Sequence, residues 1–382
     1  MPTDSDVANE EETRQSRIGA LLISLDDFEE TLSALNETIQ VLAPHVEKLD
    51  SMQVAAADFI SAIRQVPKNR REAVGNAFEK LNGDGFQDIK SVLQELDNEF
   101  ENEQWLMRLW VENYRMLTRA RRVELLHRSM VTAAVSSFEV LISAALRYVF
   151  DANPDLMGSA GAEKKFSLFD LKKLGSIDDA TQLLVNSRID DLLYGSFKSW
   201  SQWWEKTLKF GFEEVSVSWE KLNEIVERRH IIVHNGGRVS QRYIEAVPSA
   251  NPTVELGERL MVDKAYVVEA LSQLRIVGVL LAMITLIKLD TEHADVAISR
   301  MHRVLYESLT TDDWKGALAI ADAGMRLKVA GDDFIIFKIN GLLCRQRLGE
   351  DISNEVNLID ASALKARFEL GVHSNQESRF QV

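Results

Sequence analysis

A regular spacing of apolar positions dominates the first part of the chain. Hydrophobic residues recur at steps of three and four, with Gln53 as the one polar occupant of the register. The apolar positions are Ile18, Leu21, Leu25, Phe28, Leu32, Leu35, Ile39, Leu42, Val46, Leu49, Ala56, Ile60 and Ile63. A narrow seam of this length favours a coiled coil with a second chain over one long helix that packs on its own domain. Pro44 is expected to kink or interrupt the helix, because it removes a backbone donor.

Changes in this pattern predict an all-α protein in four parts. A polar, acidic segment without periodicity comes first and predicts disorder. A long helical region, a domain of strongly apolar helices and a set of short helical pairs follow. The predicted parts are a disordered acidic tail at 1–17, an N-terminal helical or coiled-coil region at 18–118, a helical-bundle domain at 119–290, and a C-terminal helical module at 291–382.

The C-terminal module contains a helical pair with small residues at regular positions. Trp314, Ala317 and Ala321 have spacings seen in tetratricopeptide-type helical hairpins, and "DDFIIFKINGLLCRQRLGE" supplies a possible partner helix. One or two such units do not define a repeat array. The segment therefore predicts a helical interaction or capping module.

Composition limits the classes of function. A net charge of −15 argues against a surface coated for nucleic-acid binding, although a confined basic site remains allowed. Cys344 is the one cysteine in the sequence, so neither an internal disulfide nor a cysteine metal cluster is expected. The acidic N-terminus lacks the pattern of a signal peptide. The apolar run 276–287 is shorter than the roughly 20 residues that span a bilayer, which predicts a buried core helix and no membrane partner. A cytoplasmic location is expected.

The most informative stretch is "EIVERRHIIVHNGGRVSQRY", which begins at Glu224. On a helical wheel, Arg229 falls inside a stripe of apolar residues, and Arg228 falls just outside it. An arginine in mid-stripe has to be paired, face another subunit or line a cleft, because it does not shed its proton. Glu139, at the edge of the apolar stripe of an upstream helix, is a possible partner. A buried ion pair that merely fixes helix packing is the structural alternative.

Two histidines flank this arginine and a helix end follows them. His230 and His234 lie one turn apart, and Asn235 with the two glycines after it gives a helix C-terminus signal. The pair does not fit the H-E-x-x-H pattern of helical zinc proteases, since Ile231 stands where the glutamate belongs. No metal or other cofactor is predicted.

These residues resemble those of a known superfamily. "RHIIVH" fits the R-[N/D/H]-x-x-x-H motif of the HEPN superfamily, all-α domains that often act as metal-independent ribonucleases. The surrounding sequence is especially similar to the branch named after its RiboL-PSP members. The apolar helix that carries Glu139 looks like that family's early helix with its acidic residue. The resemblance covers roughly residues 120–290.

The resemblance implies a dimer in which two protomers form one RNA-cleaving cleft. Arg229 would bind the scissile phosphate and His234 would move a proton, as catalytic residues. His230 would bind or orient the substrate, Glu139 would hold Arg229 or His234, and Asn235 is grouped with these supporting residues. The products would carry 2′,3′-cyclic phosphate and 5′-hydroxyl ends, and no metal would be needed.

The expected role is a toxin or antiviral defence effector, with an antitoxin or defence-system partner possible. The N-terminal seam would add a second contact between the protomers of a homodimer. One alternative is an inactive HEPN-like scaffold or ligand-binding subunit of a defence or stress complex. Another is a helical adaptor in which the motif is a core ion pair.

Overall fold

The computed structural model describes most of the chain outside the second quarter. The described residues are 4–51, 122–158, 173, 175–194, 197–211, 215–247 and 254–356. Most of the predicted region 18–118 lies outside these ranges, including the seam positions Ala56, Ile60 and Ile63. Of this region, the structure describes residues up to Ser51.

Most of the described residues lie in helices. Within these ranges no strand occurs, and the β-like contact is an isolated bridge between Arg238 and Arg259. The predicted all-α class is confirmed for this part of the chain. The helices are α1 (Asp4–Ser51), α2 (Arg122–Ala152), α3 (Asp155–Gly158), α4 (Ile177–Tyr194), α5 (Phe197–Leu208), α6 (Trp219–Asn235), α7 (Gln241–Ala246), α8 (Lys264–Leu289), α9 (Ala294–Thr310), α10 (Trp314–Leu327), α11 (Asp332–Arg347) and α12 (Ser353–Val356).

Helix α8 forms the centre of the core. Asp263 caps its N-terminus by accepting a hydrogen bond from the backbone N–H of Tyr266 at 2.7 Å. Every residue from Ile276 to Leu286 is buried, so the helix is surrounded on all sides. The prediction of a buried core helix is confirmed.

Among the described helices, α2 and α8 are long and apolar enough to cross a membrane by length and composition alone. In the fold, 78% of the apolar window of α8 and 50% of that of α2 are buried, as is common for core helices. The helix around the apolar run 276–287 begins at Lys264, so the shortness of the run does not by itself exclude a membrane span.

Helix α1 packs its apolar seam on the chain's own core. The seam residues Ile18, Leu21, Leu25, Phe28, Leu32 and Ile39 are all buried. The rings of Phe28 and Phe138 lie 6.0 Å apart between centroids, and a Cβ on Gly278 would fall 2.5 Å from Phe28. The alternative interpretation, a helix that packs on its own domain, therefore holds from Ile18 to Ile39. Pairing of this stretch with a second chain stays a prediction.

Charged side chains fasten the other edge of α1. Glu29 accepts from Arg275 at 3.0 Å, and it also pairs with Arg300 and Arg303. Such a network fixes the rotation of α1 against α8 and α9, because one half-enclosed carboxylate serves several guanidinium groups.

The start and the middle of α1 differ from the sequence predictions. Residues 4–17 are helical, so the prediction of disorder over 1–17 is wrong for them. Arg17 donates to the backbone carbonyl of Asp151 at 2.7 Å, which ties this segment to the end of α2. The helix also continues through Pro44 without interruption, at an exposed position. A helix anchored by packing over several turns extends where local sequence alone predicts none.

Helices α10 and α11 pack together as the sequence predicted, and they also join the core. Ala317 and Ala321 are fully buried. A Cβ on Gly324 would fall 2.3 Å from the ring of Phe337, so glycine permits this close approach. A Cβ on Gly316 would lie 2.9 Å from the end of Ile276, which places α10 against α8. The likeness to tetratricopeptide hairpins stays a prediction.

The division of the chain differs from the predicted boundaries. One compact unit contains Met1–Ile39 and His127–Val382, and a second contains Gln40–Leu126. The predicted module at 291–382 is thus continuous with the helices before it, because α9 and α10 both contact α8. The first part of the predicted region 18–118 likewise belongs with the later helices.

Candidate functional site

The site is built on α6, whose two ends are both fixed. Ser218 caps its N-terminus by accepting from the backbone N–H of Lys221. The helix ends at Asn235, as predicted, and Gly236 and Gly237 follow with φ of 61° and 82°. These left-handed conformations favour glycine, which has no Cβ to clash with the backbone.

The second glycine also makes room for an arginine from α2. A Cβ on Gly237 would fall 2.4 Å from Nη2 of Arg128, and Nη1 of Arg128 donates to the carbonyl of Gly236 at 3.0 Å. The N–H of Gly237 donates to the carbonyl of Ile231 at 2.9 Å, which closes the last turn. The C-terminus of α6 is therefore tied to α2.

The short helix α7 is fastened along α6. The side-chain amide of Asn223 donates to the carbonyl of Ala246 at 2.7 Å. The connection between the two helices is held by a small apolar cluster. Its buried members are Ile231, Val239, Tyr243, Val247 and Leu260. Side chains on α7 are consequently held at fixed positions beside α6.

One face of α6 carries a buried charged network centred on Arg228. The side chain of Arg228 is 7% exposed and bonds Glu224 through Nε and Nη2, both at 2.7 Å. Glu224 also accepts from the hydroxyls of Tyr243 and Tyr266, each at 2.7 Å. Arg228 donates further to the carbonyl of Met261 at 3.2 Å. The buried ion pair is thus hydrogen-bonded on both sides, as buried charges require.

The network shifts the proton equilibria of its members. Burial opposes the charge on Arg228, and Glu224 outweighs it, so the pKa of Arg228 lies above its ordinary value. Burial raises the pKa of Tyr266 well above its usual range, and the neighbouring Glu224 carboxylate raises it further. The guanidinium of Arg228 also lies 4.8 Å from the centre of the Tyr266 ring. Arg228 and Tyr266 therefore remain in one protonation state across the physiological range.

The helical-wheel placement of the two arginines was wrong. Arg228 is buried, whereas Arg229, assigned to the middle of the apolar stripe, has a side chain that is 26% exposed. Val233, another member of that stripe, is 50% exposed. The buried positions of α6 are Leu222, Glu224, Ile225, Glu227, Arg228 and Ile231. The wheel counted only apolar residues, and a paired Glu–Arg couple occupied the buried face instead.

The opposite face carries the residues that the sequence selected. Arg229 donates through Nη2 to Glu139 on α2 at 3.2 Å, so the predicted pair is formed. Nε of Arg229 is buried and meets no hydrogen-bond acceptor among the described residues. The rings of His230 and His234 are in contact, 4.6 Å apart between centroids. His234 and Asn235 are exposed at the end of the helix.

A second arginine and a buried carboxylate adjoin this cluster, and the sequence did not select either of them. Glu227, 4% exposed, accepts from Nη2 of Arg242 on α7 at 3.1 Å. Burial lowers the pKa of His230, and the positive charge of Arg242 lowers it further, while Glu227 acts in the opposite direction. His234 and Arg229 add smaller effects that also lower the pKa of His230. Burial and the neighbouring cations together therefore favour the neutral form of His230.

The structure therefore brings together four of the five residues that the sequence selected, all except Asn235. It adds Glu227 and Arg242 to them. Arg229 contacts Glu139, and His230 contacts His234, within one and a half turns of α6. Asn235 follows at the helix end, where its carbonyl accepts from the N–H of Arg238 at 3.1 Å. Its side chain makes no hydrogen bond or ion pair with the described residues, so its supporting role stays a prediction.

The chemistry available here is that of cations and proton carriers. In the part of the chain that the structure describes, no group of three or more His, Cys, Asp or Glu side chains has a metal-binding arrangement. Guanidinium groups bind phosphate or carboxylate oxygens, and imidazoles near an open surface transfer protons. The fold and site thus define an all-α protein with a confined basic cluster on one helix end.

Comparison of the chain with protein-family models, with curated proteins and with solved structures found no match.

Proposed function

We propose that this chain is a metal-independent endoribonuclease of HEPN type that acts as a dimer. The observation that carries the proposal is the contact of Arg229 with Glu139 from another helix, next to the contacting rings of His230 and His234. An acidic residue holds the arginine through one nitrogen, and the exposed His234 follows five residues later, within one and a half turns of the helix. This arrangement supplies a phosphate ligand and a proton carrier at one surface.

In the proposed reaction, the 2′-hydroxyl of a ribose attacks the adjacent phosphorus. The bond between phosphorus and O2′ forms, and the bond between phosphorus and the leaving O5′ breaks. The 2′-hydroxyl gives up its proton, and the leaving oxygen gains one. Arg229 binds the phosphate and stabilises the negative charge that develops on it, and His234 carries one of the two protons. The products have 2′,3′-cyclic phosphate and 5′-hydroxyl ends.

Glu139 and His230 act through the catalytic residues in this proposal. Glu139 restricts the guanidinium of Arg229 to one orientation, which lowers the entropy lost when the phosphate binds. His230, neutral because its pKa is lowered by burial and by nearby cations, offers a hydrogen bond without adding repulsion to the arginine.

The resemblance to the HEPN superfamily implies that a second copy of the site lies opposite in a dimer. Val140 and Val233, exposed at 66% and 50% on the two site helices, offer apolar area for such a contact.

The test is cleavage of single-stranded RNA by purified protein in EDTA. We expect His234→Ala to lower kcat by about 100- to 10,000-fold, the usual contribution of a positioned acid or base. Arg229→Ala is expected to lower it by about 100- to 1,000-fold, as for loss of one group that stabilises a developing oxyanion. DNA of the same sequence is expected to resist cleavage because it lacks the 2′-hydroxyl.

A matched control is His45→Ala, which removes an exposed histidine from α1. This variant is expected to keep wild-type activity. Fully active Arg229 and His234 variants would refute the assignment, and so would products that lack a cyclic phosphate. Light scattering on the same samples gives the oligomeric state. Full activity in a proven monomer would remove the composite site from the proposal.

A second candidate is a scaffold or ligand-binding subunit without nuclease activity. The observation in its favour is the net charge of −15 on the chain as a whole, which disfavours a surface that binds RNA. In this case the cleavage assay shows no cleavage by the wild-type protein or by the His234 variant. Any binding of RNA, measured separately, does not depend on His234. A toxin or antiviral defence effector in the cytoplasm, controlled by an antitoxin or another defence-system protein, is the role we propose for the active form.

A further inference from the structure

Glu227 is a buried carboxylate whose hydrogen bonding is incomplete. Its side chain is 4% exposed, and Oε1 accepts from Arg242 at 3.1 Å. Its other oxygen, Oε2, is buried and meets no donor among the described residues. An ion pair between a buried carboxylate with an unsatisfied oxygen and a largely exposed arginine adds little to stability, because solvent screens the arginine while burial of the carboxylate costs free energy. The pair of Glu227 and Arg242 therefore calls for a role other than holding the fold.

The position of Arg242 next to the histidines follows from helix geometry. Glu227 and His230 are three residues apart on α6, so their side chains are neighbours on one face. Arg242 reaches Glu227 from α7, and its charge is the strongest effect after burial on the pKa of His230. Helix α7 is itself held at the Asn223 contact and by the buried Tyr243. Arg242 is thus fixed beside the site.

The contact occupies one nitrogen of the guanidinium. Arg242 meets Glu227 through Nη2, and 57% of its side chain is exposed. Arg229 makes the same kind of contact, since its Nη2 meets Glu139 while 26% of its side chain is exposed. In each case a carboxylate contacts one nitrogen of the arginine. A guanidinium carries five N–H donors in a planar fork, so each arginine keeps donors that can bind a phosphate.

We propose that Arg242 binds a backbone phosphate of the RNA next to the scissile phosphate, and that Glu227 positions it. This inference rests on the proposed function and assigns a second phosphate site to it. The substrate is then a strand with at least two consecutive phosphates. A dinucleoside monophosphate, which has only the scissile phosphate, lacks the group that Arg242 binds.

The experiment compares two substrates that share one cleaved step. Wild-type protein first maps a cleaved step in single-stranded RNA. That step is then synthesised as a dinucleoside monophosphate and inside a hexanucleotide, and kcat/KM is measured for both. We expect Arg242→Met to lower the ratio of the two values, hexanucleotide over dinucleoside monophosphate, by about 10-fold or more, the usual loss for a hydrogen bond to a charged group. Arg242→Lys is expected to restore part of the ratio.

A binding measurement separates this inference from the nuclease assignment. In the His234→Ala background, affinity for the hexanucleotide is expected to fall about 10-fold when Arg242 is replaced by Met. Lys315→Met is the control, because it removes one exposed positive charge from α10. Absence of cleavage by wild type, with binding that still depends on Arg242, would refute the nuclease and leave the phosphate site standing.

The inference is overturned if Arg242→Met keeps both the substrate ratio and the affinity within about twofold of its parent. It is also overturned if Lys315→Met lowers them equally, since the effect would then be general electrostatics. Melting curves of each variant establish that the fold is intact.

Discussion

Arg228 and Arg229 are adjacent in sequence, and the fold gives them opposite surroundings. Arg228 is 7% exposed and shares Glu224 with the hydroxyls of Tyr243 and Tyr266. Arg229 is 26% exposed, and its contact is with Glu139 at 3.2 Å. Successive residues on an α-helix point about 100° apart, so one turn of α6 presents a cation to the core and another to the surface.

The difference lies in how completely each cation is satisfied. The core network surrounds Arg228 with a carboxylate, a carbonyl and an aromatic ring, and these contacts offset the cost of burying a charge. Arg229 has one carboxylate on one nitrogen, so it keeps the capacity to bind another anion. A buried arginine whose N–H donors are all hydrogen-bonded stabilises the fold. A surface arginine with N–H donors left over can bind an anionic ligand.

The largest expected effect is the difference in free energy of unfolding between variants of the two arginines. Arg228→Met removes one partner of a buried ion pair and leaves Glu224 without its cation, which typically costs about 3–5 kcal/mol. Arg229→Met breaks a partly exposed pair and is expected to cost about 1 kcal/mol or less. Denaturant unfolding of both variants measures the difference.

A double variant sharpens this result. Replacing both Glu224 and Arg228 by apolar residues of similar size is expected to cost less than Arg228→Met alone, because no unpaired buried charge remains. Equal losses of stability in the Arg228 and Arg229 variants would contradict the contrast between the two faces of α6.

The sequence predicted the contact of Arg229 with Glu139, although it placed Arg229 too deep in the apolar stripe, and it did not predict the burial of Arg228. The pair of Arg229 and Glu139 was anticipated because each charge interrupts an apolar stripe on its own helix. Arg228 was placed outside the core, since its burial depends on Tyr243 and Tyr266, which come from α7 and α8. Spacing within one helix carries no information about donors from other helices. Glu224 and Arg228 at i and i+4 were the available signal for a paired couple.

The wider fold shows the same limit. Helical content and the end of α6 at Gly236 follow from local periodicity and from the conformational preference of glycine. The heptad seam from Ile18 to Ile39 is equally regular, yet it packs on α2 and α8 of the same chain. Apolar residues at steps of three and four indicate that one face of a helix is buried. The spacing does not identify whether that face packs on the same chain or on a second chain.

An intermediate effect is expected at the two glycines that end α6, which repeat the contrast between exposed and buried surroundings. Gly236→Ala places a side chain in open space with φ of 61°, and the left-handed backbone costs about 1–2 kcal/mol. Gly237→Ala carries the same kind of backbone strain. Its Cβ would also lie 2.4 Å from Nη2 of Arg128, so the guanidinium has to move away. We expect Gly237→Ala to lower the melting temperature more than Gly236→Ala.

The displacement of Arg128 is the feature that distinguishes the two variants. In an Arg128→Ala background, the difference between Gly236→Ala and Gly237→Ala is therefore expected to shrink towards zero. Equal melting temperatures for the two single variants would show that Arg128 moves at no cost. The tie between α2 and the end of α6 would then be looser than the contacts indicate.

The smallest expected effect is a change in the pKa of His230, on the exposed face of α6. Burial and the charge of Arg242 lower this pKa from its ordinary value of 6.5, and Glu227 opposes them. Arg242→Met should therefore raise the pKa of His230, and Glu227→Gln should lower it. NMR titration of isotope-labelled histidines, with the His230 signal assigned by substitution, measures both directions.

The sign of the pH dependence follows from the same shift. Below about 6.5, the unfolded chain binds a proton at this ring before the folded chain does, so the unfolded state gains free energy of proton binding. The contribution of His230 to stability is therefore fully present above 6.5 and is lost as pH falls through the lowered pKa of the folded state. Arg228 makes no such pH-dependent contribution, because the pKa of its buried guanidinium is raised further from the accessible range.

An unchanged His230 pKa in the Arg242→Met variant would mean that Arg242 does not face the histidines, and the second phosphate site would lose its geometric basis.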